Sequence, residues 1–154
     1  MAHSLSDSPT RVIFGLTSTL PCVDQVAEHL LEQPEDTTKL TLIVCNQSPA
    51  DVILADRMNA LAAQHSRFKV VFLVDKTNDL PWSGDTGYVT KELLAKHMPA
   101  PSADCLIMTC GPPPMEKSVW GAKFWNKEKK AMEQGEVGGL LKEMGYTSDS
   151  VFKF

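Results

Sequence analysis

The stretch MTCGPPPM, residues 108–115, decides the reading of the fold. An apolar run ends on Cys110 and Gly111, and three prolines follow before a new segment begins. Proline has no backbone N–H and a fixed φ, so three in succession cannot lie inside a sheet. They build a stiff turn and enter a helix, whose first turn does not need those N–H groups. DCLIMTC (104–110) therefore reads as a buried strand that leaves through a rigid turn, holding the backbone where a ligand can find it.

Working outward, the same alternation recurs. RVIFG (11–15) is a short buried strand, and Val23, Val26, Ala27, Leu30 and Leu31 follow it at helical spacing. LTLIVCN (40–46) is a second strand. Ser48 and Pro49 open a helix with Ser48 as its N-cap and Leu54, Met58, Leu61 and Ala62 on one face. FKVVFLVD (68–75) is a third strand, apolar enough to be covered on both faces. DKTNDLPWSGDTG is a loop rich in turn residues, and Thr90 caps the helix KELLAKHM that follows. After the prolines come a helix and the charged stretch AKFWNKEKKAMEQGE, read as a solvated excursion. VGGLLKEMGY makes a short helix and SVFKF a terminal strand. Strands alternating with helices specify an α/β domain, a parallel sheet of about five strands with helices on both faces. Residues 1–10 read as an extended or disordered tail, and 11–154 as the domain.

Composition excludes several classes. The 154 residues are 43% hydrophobic, sufficient for a single core. A formal charge of −4 argues against nucleic acid or an anionic membrane as main partner. No window approaches ~18 apolar residues, so no membrane span is expected. Cys22, Cys45, Cys105 and Cys110 form no C-x-x-C pair and read as free thiols of a reducing, cytoplasmic compartment. The four histidines lack ligand spacing, and no metal site is expected.

In open parallel sheets ligands bind beyond the carboxyl ends of the strands. Asp75, closing the third strand, can accept hydrogen bonds from an adenosine ribose while repelling the additional phosphate of NADPH. It is equally a good residue for turning a chain out of a strand. Gln47 can contact a nucleotide or satisfy loop backbone. Cys110 stands before a helix start, which would stabilise a thiolate, yet a buried cysteine is more often an inert small hydrophobe. Cys105 lies five residues earlier on the same strand and so points to the opposite face.

CGPPPM and the downstream QGEVGGLLKEMGYTSDSVFKF are joined, in matching order, by LTLIVCNQSPADVILADRMNALA, FKVVFLVDK and GYVTKELLAKHMPAPSAD. Together these resemble the C-terminal, pyridine-nucleotide half of NADH–cytochrome-b5 reductases, which are ferredoxin-NADP reductase-like flavoproteins. The likeness spans roughly residues 23–154, and the insert before QGEVGG is closer to fungal, mitochondrial-type members than to animal ones. It implies that Cys110, with Gly111 and Pro112, sits beside the nicotinamide as an orienting residue at the catalytic centre. Met115 falls in the same cofactor-binding stretch. Asp75 would lie at the adenosine ribose and favour NADH, with Gln47 and Tyr88 lining that pocket and Phe154 towards the flavin.

The sequence departs from this family at two points. The flavin-binding β-barrel that carries the R-x-Y-[ST] motif has no counterpart, so FAD is not expected in this chain. The family turn close to G-G-T-G-I-T-P is LTSTLPC (16–22) here, where Cβ atoms crowd an approaching pyrophosphate, although Thr17, Ser18 and Thr19 can donate hydroxyl hydrogen bonds to it. Two functions are therefore expected. One is an NADH-binding domain passing hydride to a flavin held elsewhere, inactive by itself. The other is a divergent, non-catalytic paralogue acting as a nucleotide-binding or protein-interaction module. Either implies an exposed former flavin-facing surface, covered by a flavin-domain protein or by a homodimer.

Overall fold

The computed structural model describes residues 9–16 and 20–154; within these, the side chains of 16, 20–24 and 26 are not described. Thr17, Ser18 and Thr19 fall outside the described residues. Six parallel strands form the main sheet: β1 (Thr10–Leu16), β2 (Lys39–Asn46), β3 (Phe68–Val74), β4 (Asp85–Thr86), β5 (Cys105–Cys110) and β8 (Val151–Lys153). Their order is β4-β3-β2-β1-β5-β8, so the chain leaves β1 towards one edge and returns through β5 to the other. Such a reversal opens a crevice at the carboxyl ends of the strands on either side of it.

Alternation along β1 divides the core into two layers. Val12 and Phe14 face one side, with Ile43, Leu73 and Ile107 from neighbouring strands. That layer is closed by α3 (Lys91–His97), by the helix α4 (Pro113–Met115) continuing into a π turn over Glu116–Trp120, and by α5 (Gly139–Glu143). Ile13, Leu42 and Val44 face the other side against α1 (Leu20–Leu31) and α2 (Ala55–Gln64) through Ala27, Leu31 and Met58. Arg67 ties α1 down, its guanidinium donating to the carbonyls of Leu30 (2.6 Å), Leu31 (3.1 Å) and Gln33 (2.9 Å). The Leu30 and Leu31 carbonyls are among those that a helix C-terminus leaves without intrahelical partners, and Gln33 follows just beyond the helix.

Three local readings are corrected. Ser48 does not start one long helix. Pro49–Asp51 form a single 3₁₀ turn, Val52 is extended, and Leu54 takes a left-handed conformation (φ 60°) before α2 begins. Pro49 and a carboxylate that binds back to Ser48 favour a closed turn over helix propagation. The loop after β3 contributes the two-residue edge strand β4, and the charged excursion folds into a hairpin, β6 (Phe124–Asn126) with β7 (Ala131–Glu133). Thr90 does cap α3, accepting from the Leu93 amide at 3.2 Å.

β8 has the reverse of the usual edge pattern. Val151 and Lys153 are buried, whereas Phe152 and Phe154 are exposed and meet edge to face at 5.2 Å. The Lys153 ammonium is satisfied by the Glu136 carbonyl at 2.8 Å, and burial lowers its pKa. Gln134 pairs with the Lys153 backbone in both directions, at 2.7 and 2.9 Å, occupying hydrogen-bonding positions that an open edge strand would offer to another chain.

Candidate functional site

The crevice is built from what each strand does after it ends. Beyond β2 and β3 the backbone stays paired: the Asp75 amide donates to the Asn46 carbonyl (3.0 Å) and the Lys76 amide to that of Gln47 (3.1 Å). Asp75 is thereby held beside Gln47. Ser48 next donates both its amide (2.9 Å) and its hydroxyl (2.7 Å) to Oδ2 of Asp51, fixing that carboxylate over the 3₁₀ turn. The Gly87 amide donates to the Val74 carbonyl (2.9 Å), and Gly87 adopts φ 100°, which delivers Tyr88 and Val89 to the same end.

The opposite wall comes from β5. A Cβ on Gly111 would lie 2.9 Å from the Met115 sulfur and 3.0 Å from Cη2 of Trp120. Glycine is needed there for room, because Trp120 is fully buried and packed edge to face on Phe14 at 5.5 Å. The prolines then hold the chain extended at Pro112 (φ −71°, ψ 158°) and turn it into α4.

Between these walls lies a cleft of about 810 Å³. Asn46, Gln47, Asp51 and Asp75 make one side polar; Pro112, Pro114, Met115 and Val119 make the other largely apolar. Tyr88 is 77% exposed, so its ring is open to anything entering. Cys45 lies at the base, where burial and then the charge of Asp75 push its thiol up to about 12. Such a thiol is no nucleophile. An apolar slot facing carboxylates suits a flat ring joined to a hydroxyl-bearing sugar.

Of the residues expected from sequence, Gln47, Asp75, Tyr88, Pro112 and Met115 come together around this cleft. Cys110 and Gly111 are not among its lining residues, although Pro112, next in the chain, is; Cys110 is a partly exposed free cysteine. Phe154 lies one strand further out, its amide bonded to the Thr109 carbonyl at 2.9 Å and its ring exposed. Asp51 was not expected. Its sequence signal is the Ser48-x-x-Asp51 spacing, a short form of the capping box. Among the described residues no group of three His, Cys, Asp or Glu could hold a metal ion. No helix among them is long and apolar enough to cross a membrane.

The family model for the oxidoreductase NAD-binding domain matches residues 17–120. NADH-cytochrome b5 reductase 2 of Scheffersomyces stipitis is 40% identical over 144 residues, which are 93% of this chain and 46% of that protein. An NADH-cytochrome b5 reductase-like protein of Arabidopsis thaliana is 39% identical over 142 residues, 91% of this chain and 40% of its own length. The chain thus spans somewhat less than half the length of these curated relatives. Among solved structures, the cytochrome b5 reductase domain of Ulva prolifera nitrate reductase superposes with a TM-score of 0.75 at 24% identity, covering 97% of this chain and 51% of that one. The CS-b5R domains of human Ncb5or, in an NAD+ form, give 0.66 at 18%, covering 94% and 36%. At these identities the superpositions speak for the fold.

Proposed function

The chain belongs to the oxidoreductase NAD-binding domain family, and on that premise we propose that it is the NADH-binding domain of a flavin-dependent, cytochrome-b5-reductase-like enzyme that passes hydride to a flavin held outside these residues. The carrying observation is the cleft, which joins the ends of β2 and β3 to the proline turn. NADH supplies the hydride; the protein supplies position and keeps water from the reacting face.

Asp75 accepts hydrogen bonds from the adenosine ribose, and its backbone pairing with Asn46 holds it there. Gln47 and Tyr88 border the same end, Tyr88 offering its exposed ring. Pro112 and Met115 form the apolar wall, while Gly111 lets the turn pack down on Trp120. Cys110 orients the nicotinamide through its position at the end of β5 and does no covalent chemistry. Thr17, Ser18 and Thr19 take the pyrophosphate by their hydroxyls. The flavin-bearing partner sits on the side marked by Phe152 and Phe154, two exposed aromatic rings beside the Thr109–Cys110 end of β5. Cys45, Cys105 and Cys110 are free thiols, which supports a reducing compartment such as the cytoplasm.

The test is a calorimetric titration of the chain with NADH and then NADPH. Micromolar NADH binding, weaker for NADPH and at least tenfold weaker in Asp75→Ala, is the expected result. No heat at millimolar NADH would remove the proposal.

A further inference from the structure

Tyr88 reaches the cleft from a short segment whose two ends are tied to one helix. Thr90 caps the first turn of α3, accepting from the Leu93 amide at 3.2 Å. At the other end Asp85, in the two-residue strand β4, is gripped by the last turn of α3. Nε2 of His97 lies 2.6 Å from its Oδ2, and the Lys96 ammonium donates to its Oδ1 at 2.7 Å. Between these ties stand Thr86, Gly87, Tyr88 and Val89, of which Gly87 alone has a positive φ (100°). The two grips on Asp85 differ in kind. The Lys96 side chain is 63% exposed, so solvent and salt weaken its pair. The His97 side chain is 8% exposed, and its Nδ1 is buried with no hydrogen-bond partner among the described residues. An ionised carboxylate only accepts, so Nε2 carries the hydrogen of the bond and Nδ1 is left as a bare acceptor. An apolar side chain would fill that space without burying an unmatched nitrogen, so what imidazole adds there is the bond to Asp85.

We propose that His97 is a positioning residue of the nucleotide cleft, acting through Asp85 and β4 to hold the Tyr88 ring where NADH meets it. The proposal rests on the NADH reading above. His97 does not itself line the cleft, whereas Tyr88 does. With 77% of its surface exposed, Tyr88 takes little direction from packing of its own. Its place is set by the backbone, through the Gly87 amide on the Val74 carbonyl (2.9 Å) and the tie at Asp85. β4 depends on that tie, because it pairs with β3 over Asp85 and Thr86 only and lies at the edge of the sheet.

The experiment measures NADH affinity by calorimetry for the wild type, His97→Leu, His97→Gln, Asp85→Ala, Lys96→Ala, Tyr88→Ala and the His97→Leu/Tyr88→Ala double variant. One aromatic contact is worth about a two- to tenfold change in affinity, so His97→Leu should weaken NADH about fivefold and no more than Tyr88→Ala does. Asp85→Ala should match it. His97→Gln, whose amide can donate from near the place of Nε2, should stay within about twofold of wild type, as should Lys96→Ala. In the Tyr88→Ala background, His97→Leu should change NADH affinity by less than about twofold, because the ring it positions is gone. Equal weakening by His97→Leu with and without the Tyr88 ring would overturn the proposal, showing a general structural role. Wild-type affinity in a folded His97→Leu would overturn it too, as would failure of both His97→Leu and Asp85→Ala to fold. Each of these results leaves the NADH reading standing when the wild type binds NADH. A wild-type chain that binds none would overturn both.

Discussion

Replacing Gly111 by alanine tests whether the proline turn is shaped by packing. The new Cβ would lie 2.9 Å from the sulfur of Met115 and 3.0 Å from Cη2 of Trp120. Both are closer than an ordinary van der Waals contact of about 3.5–4.0 Å. The two neighbours respond differently. Met115 is partly buried and flexible, so its thioether moves, but it moves within the cleft wall. Trp120 is 1% exposed and held by Phe14, so it can give way only by displacing the core. Overpacking of this kind costs about 1–2 kcal/mol, near the lower part of the usual range. For a chain of this length that lowers Tm by roughly 2–8 °C. NADH affinity should fall several-fold as well, because Pro112 and Met115 are displaced together. The assays are urea denaturation and NADH titration on Gly111→Ala, Met115→Ala and the double variant. Removing the Met115 side chain relieves one of the two contacts, so the double variant should be more stable than the sum of the single effects. Wild-type stability and affinity in Gly111→Ala would refute the packing argument.

Gly139→Ala should be more damaging: its Cβ would fall 2.2 Å from the Ser118 carbonyl oxygen at φ +53°, and a loss of more than about 3 kcal/mol in denaturant midpoint experiments is expected. Arg67→Ala should cost about 2–3 kcal/mol by removing the donor that serves two carbonyls at the end of α1 and that of Gln33 just beyond it, and hydrogen exchange should show α1 amides losing protection before those of β2. Asp85 has its pKa lowered by the hydrogen bond from Lys96, with His97 adding to it against burial. Its folded value lies below the unfolded one, so its stabilisation is complete above about pH 4 and is lost as pH falls through the folded value. The stability gap between wild type and Asp85→Asn should therefore shrink on acidification below about pH 4, and a gap independent of pH would contradict this assignment.

Much of the fold was legible in sequence because it follows from local chemistry. Apolar runs marked β2 and β5, and a hydroxyl placed before KELLAKHM marked the start of α3. Of the site, the strand-end positions Gln47 and Asp75 and the turn positions Pro112 and Met115 could be named. Strand ends in a parallel sheet converge wherever the winding reverses, so their meeting at one cleft follows from the order of the elements.

Other features depended on contacts that hydrophobic periodicity does not encode. Asp51 belongs to the cleft because Ser48 closes a 3₁₀ turn where helical spacing predicts a longer helix. Two residues of a long loop become β4 because Leu73 and Val74 leave an edge to pair with. Lys153 is buried and Phe152 exposed, against their hydropathy, because Glu136 and Gln134 satisfy the lysine's ammonium and backbone from outside the strand. Gly111 reads in sequence as a turn glycine, yet its constraint is the face of Trp120, nine residues on. Sequence alone determined the α/β alternation and the strand ends, since periodicity and turn chemistry act between near neighbours. Tertiary structure decided which carboxylates share the cleft and which side chains change faces, since those outcomes turn on hydrogen bonds and steric contacts that exist only once the elements have packed.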